Sequence, residues 1–76
     1  MTRDEWLRRL AERLGIEPPT PEEVKGLLEV AATAAHTSER TAAPISCWLA
    51  GRSDLALEDV RAAADAIAEE EGAADG

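Results

Sequence analysis

The side chains with the chemistry to bind or react are few: one histidine, one cysteine, two tryptophans and a Glu-Arg pair, most of them gathered within residues 34–51. His36, Glu39 and Arg40 stand three and four positions apart, the spacing that brings side chains together on one helix face. Two readings of this trio stand side by side. In the first, it is a polar anchor for an anionic ligand or a protein partner. In the second, it is a junction clamp: Glu39 sits near the N-terminus of a following helix, where the dipole favours negative charge, and Arg40 pairs locally. His36 and Cys47 could both ligate zinc, but a structural site needs four ligands and a catalytic one three, and there is no second His or Cys. A Cys–His nucleophilic pair needs hydrogen-bond reach and an orienting third group, and none is evident here. No catalytic, metal or cofactor site is expected, and the chain reads as non-enzymatic.

The elements that hold these residues are all helical. Thr2 with Glu5 has the spacing of a capping box, Met1 and Trp6 that of a hydrophobic staple, and Gly15 stands where a left-handed terminal residue is wanted. These signals predict a helix over 3–15 whose inner arc is Trp6, Leu7, Leu10, Ala11 and Leu14. Pro18 and Pro19 force an extended connection, because the residue before a proline is pushed out of the α region. Thr20, Pro21 and Glu23 then start a second helix, 21–38, with Val24, Leu27, Leu28, Ala31 and Ala35 facing inward and Gly26 on the opposite face. A third, 42–51, tolerates Pro44 in its first turn, is ended by Gly51, and turns Ile45, Trp48 and Leu49 inward with Cys47 pointing away. A fourth, 56–71, packs Leu57, Val60, Ala64 and Ile67. No alternation suggests a strand. The expected fold is all-α: a compact array or bundle of four short helices in a single domain, 1–71, followed by a disordered acidic tail, 72–76.

Size and charge narrow the function. A chain of 76 residues with two Trp and no Phe or Tyr has a thin core, and small domains of this kind gain stability from oligomerisation or a partner. Trp6 and Trp48 read most simply as core residues; because Trp is enriched at interface hot spots, the alternative places at least one indole at an interface. The net charge of −8 repels a phosphate backbone and anionic lipid alike, so neither nucleic acid nor membrane is an expected partner. The N-terminus lacks a signal-peptide apolar run and a lone Cys fits a reducing compartment, which makes the expected location cytoplasmic.

Ala35, His36, Glu39, Arg40, Ala43 and Pro44 form an Ala-His-x-x-Glu-Arg-x-x-Ala-Pro segment followed by a small helix. With the opening Asp4-Glu5-Trp6-Leu7, this resembles a family of small bacterial helical domains of unassigned function, found alone or appended to nucleotidyltransferases of the molybdenum-cofactor guanylyltransferase type. The resemblance implies an accessory or interaction domain associated with molybdenum-cofactor nucleotide chemistry. The Gly-rich nucleotide loop of that enzyme is missing, so no catalytic residue carries over. Ser53-Asp54-Leu55 invites comparison with acyl-carrier proteins, but their attachment serine follows the aspartate, and here the order is reversed.

The expectation is therefore a non-enzymatic accessory or protein-interaction module, with His36, Glu39, Arg40, Pro44 and Trp48 as its partner-binding residues and a nucleotidyltransferase as its first partner. Two alternatives belong to other classes. One is a small-ligand or nucleotide-binding domain using Arg40 and His36; the other is a structural homodimer that completes its core by self-association.

Overall fold

The computed structural model describes the backbone of residues 1–75 and the side chains of residues 1–72. It holds four helices: α1 (Arg3–Leu14), α2 (Pro21–Thr37), α3 (Ala42–Arg52) and α4 (Leu57–Asp75). The all-α fold is as expected, and seven of the eight helix ends fall within one residue of the sequence reading, the end of α4 being the exception. The anticipated tail over 72–76 lies at the end of α4, largely outside the residues whose side chains are described.

Local chemistry explains each start and stop. The Thr2 hydroxyl accepts from the Glu5 amide at 3.1 Å, and at α2 the box is complete: Thr20 Oγ1 accepts from the Glu23 amide while the Glu23 carboxylate accepts from the Thr20 amide at 2.8 Å. Each bond satisfies an amide that the helix itself leaves without a partner. Gly15 closes α1 in the left-handed region, at φ 71°. Its amide and that of Ile16 reach back to Glu12 and Ala11, a termination that a side chain at Gly15 would strain. At the end of α2 the Ser38 hydroxyl donates to the Ala34 carbonyl at 2.8 Å, and the chain breaks before α3. Gly51 does not end α3. The helix runs through it to Arg52, and the Ser53 amide donates to Leu49 and Ala50. The turn into α4 holds Asp54 at φ 61°, a left-handed position that Asp tolerates better than most residues with a side chain.

Packing is organised around α2. Both α3 and α4 lie along it; Val24, Leu27, Ala31 and Ala35 of α2 and Leu57, Val60 and Ala64 of α4 are half-buried as the pattern predicts, while Leu28 and Ile67 are exposed. Gly26 is buried in the α2–α4 contact rather than turned away: a Cβ there would stand 2.5 Å from Leu57 Cδ2 and 3.0 Å from its Cγ. The missing side chain is what lets Leu57 seat on the α2 backbone. Val30 is the best-buried side chain, 3% exposed, and Glu29 forms an ion pair with Arg61 of α4. On α3 the expected faces are reversed. Cys47 turns toward α2, its thiol 3.7 Å from the Leu27 carbonyl, while Ile45, Trp48 and Leu49 are exposed. Apolar residues surround this helix, so periodicity alone could not choose its inner side.

The first helix stands apart. Among the described residues it makes no extensive packing along another helix; Leu7 instead shares a recess with Pro18, Pro19, Pro21 and Val24. Of the arc expected to face inward, Ala11 alone is buried, Leu7 is half-buried, and Trp6, Leu10 and Leu14 are exposed. Met1 and Trp6 do not close a staple over a core, since both lie open to solvent. The molecule measures 46 × 25 × 17 Å.

Candidate functional site

The segment singled out for chemistry lies at the α2–α3 junction. His36 occupies the last turn of α2, Glu39 and Arg40 the connection, Pro44 the first turn of α3, and Trp48 its outer face; all five are exposed. The carbonyls of Glu39 and Arg40 accept from the amides of Ala42 and Ala43 at 2.9 and 3.2 Å, so this short connection is tied by its backbone. Among the described residues, the side chains of His36, Glu39 and Arg40 make no hydrogen bond or ion pair with one another. Nor does Thr41 cap α3 with its side chain. The trio presents two charges and an imidazole to solvent.

The outer face of α3 has more definite structure. The Arg52 guanidinium lies over the Trp48 ring, its Cζ 4.9 Å from the ring centroid, within cation–π range. Ile45, one turn before Trp48, extends the strip, and both are 60% exposed. An aromatic residue, an arginine and a β-branched residue in line along one face have the composition that interfaces concentrate. This strip is separate from the side of α3 that carries Cys47.

The sequence reading did not find the second feature, an apolar groove. Because α3 and α4 each meet α2 without packing along each other, a trough of about 360 Å³ opens between them over the C-terminal half of α2. Its floor is small (Ala34, Ala50, Ala64) and its rim carries Leu49, Leu55 and Ile67. No charged side chain lines it, so it could not recognise a nucleotide through its phosphates. The signal was present as a run of small residues on α2, from Gly26 through Thr33, Ala34 and Thr37, but small residues show only that something can approach. They do not say what.

Among the described residues no three of His, Cys, Asp and Glu are placed to hold a metal ion, and none of the helices is long and apolar enough to cross a membrane. Neither a curated protein nor a solved structure matches the chain. A family pattern does, over residues 1–75, which takes in the junction, the Trp48 strip and the groove together. The chain belongs to the DUF6457 family, a domain of unknown function.

Proposed function

We propose that this domain is a non-enzymatic interaction module that docks a protein partner through the α2–α3 junction and the outer face of α3. One observation carries the reading: Trp48, Ile45 and Arg52 form an exposed strip on a helix whose other side already packs on α2. Leaving a tryptophan in water forgoes the gain from burying it, roughly 25 cal/mol for each Å², and a partner recovers that gain. His36, Glu39, Arg40 and Pro44 border the strip with polar groups, as the rim of an interface does. The first partner is a nucleotidyltransferase of the molybdenum-cofactor guanylyltransferase type, a choice supported by the resemblance at the Ala-His-x-x-Glu-Arg-x-x-Ala-Pro segment.

Calorimetric titration of the purified chain into such an enzyme tests this. Saturable binding that Trp48→Ala weakens at least tenfold and Arg40→Ala weakens less supports it. Absence of heat with the enzyme removes that partner, and tight binding unaffected by Trp48→Ala removes the strip.

A further inference from the structure

We infer that the apolar groove between α3 and α4 receives α1 of a second copy of this chain, and that two copies exchange their first helices reciprocally. Four independent observations converge on this occupant.

The first is that the molecule carries two unpartnered apolar faces of matching size. On α1, Trp6, Leu10 and Leu14 are exposed along a stripe about 12 Å long at 1.5 Å per residue. The α2 wall of the groove, from Val30 to Ser38, is also about 12 Å long on the same measure. Its alanine floor admits large side chains, and the stripe supplies them.

The second is charge. Residues 1–16 hold four basic and three acidic side chains, a net of +1, whereas residues 17–76 hold four basic and thirteen acidic, a net of −9. Arg9 and Arg13 flank the α1 stripe and make no ion pair among the described residues. Beyond Ile67, the groove side of α4 continues into Glu70 and Glu71, which are exposed. A basic amphipathic helix is attracted to a body of net negative charge, and the acidic end of α4 beyond the groove favours an approach that brings Arg9 and Arg13 toward it.

The third is area. The chain exposes 6155 Å², against about 4,500 Å² for a compact monomer of its 8.1 kDa mass. The excess of roughly 1,700 Å² is about twice what one partner loses in an interface of standard size. The surplus leaves room for an interface to which each copy contributes the α1 stripe and the groove.

The fourth is the connection. Pro18, Pro19 and Pro21 hold Leu7 at the start of α2, while the groove begins at Val30, nine residues and about 14 Å further along that helix. In this arrangement Leu7 of α1 therefore sits beside the start of α2, away from the end that forms its own groove. A helix arriving from another copy is not so tethered. Nothing here rests on the Trp48 strip, which lies outside the groove lining and stays free in the exchanged pair.

The test is a mixture of two single-cysteine chains, both carrying Cys47→Ser, one with Leu10→Cys and the other with Ala64→Cys. Leu10 is the midpoint of the stripe and Ala64 lies near the midpoint of the α4 wall, so the pairing does not depend on which way α1 runs. Under mild oxidation the expected product is a mixed disulfide well in excess of either homodimeric one. Light scattering of the unmodified chain is expected to give twice 8.1 kDa. Leu10→Asp and Ala64→Glu are each expected to give monomers, and mixing those two variants should restore a dimer through the one intact helix-in-groove contact. A monomeric mass for the unmodified chain at high micromolar concentration overturns the inference. So does a dimer that survives both Leu10→Asp and Ala64→Glu, or one linked through Leu10→Cys to itself; Trp48→Ala should leave the mass unchanged.

Discussion

The first two helices open in the same way and end up in opposite circumstances. Both begin with a threonine whose hydroxyl caps the amide three residues on, both carry acidic residues in the first turn, and both have an apolar stripe. Yet α2 is flanked by two other helices and holds the best-buried side chain, while α1 rests on a proline connector with its stripe in water. Capping and periodicity dictate that a helix forms and which side of it is apolar. They say nothing about whether that side is satisfied within the same chain.

Substitutions can break this contrast, and the largest effect should come from the spine. Val30→Asp would bury an unpaired carboxylate in a domain whose whole stability is on the order of 4–11 kcal/mol for this length. Loss of any cooperative thermal transition is expected by circular dichroism, whereas Leu10→Asp in dilute solution should leave the transition of α2–α4 in place. Gly26→Leu comes next. It drives a side chain into Leu57, and a loss of about 1–3 kcal/mol is expected in denaturant titration. Gly26→Ala should be far milder, because up to ~1 kcal/mol of helix propensity offsets the displacement of Leu57.

The caps allow a like-for-like comparison. Thr20→Ala should lower the global melt by about 1 kcal/mol. Thr2→Ala removes an equivalent hydrogen bond but should leave that melt within error, since α1 contributes little packing to the monomer. A shift of equal size in both variants would show that α1 is energetically part of the body. Smallest of all, Arg61→Ala breaks the half-exposed pair with Glu29 and should cost under ~1 kcal/mol, less still in high salt. Hydrogen exchange sharpens the same contrast differently. Protection of α1 amides should rise with protein concentration if the helix is sequestered by a second copy, while protection of α2 amides should not.

How much of this was legible beforehand follows the range of the forces involved. Caps, prolines and the left-handed Gly15 act within four or five residues, and they placed the ends of α1 and α2 closely. What the pattern missed is non-local. Gly26 was assigned outward because glycine has no apolar side chain to draw it in, when its value lies in the closeness it permits to Leu57. On α3 the bulkiest apolar side chains were turned inward by assumption, and the smaller Cys47 holds that place instead. The junction residues are a cluster in sequence and lie together on the surface. Their common exposure depends on how α3 departs from α2 after Ser38, which no local signal specifies. The groove depends on three helices at once, so the small residues of α2 mark only that something can approach there.

The position of the two indoles has a practical optical consequence. Trp6 and Trp48 are both more than half open to water in the single chain, so the intrinsic fluorescence of the dilute monomer should begin near the emission of a free indole and change little when the fold is lost. The usual spectroscopic signature of unfolding would be nearly silent in the monomer. Emission from Trp6 would instead follow the company that α1 keeps, moving to the blue when its ring is sheltered, while Trp48, beside the Arg52 cation, would report the outer face of α3. Two single-tryptophan chains, Trp6→Phe and Trp48→Phe, would thus give one reporter for each exposed surface.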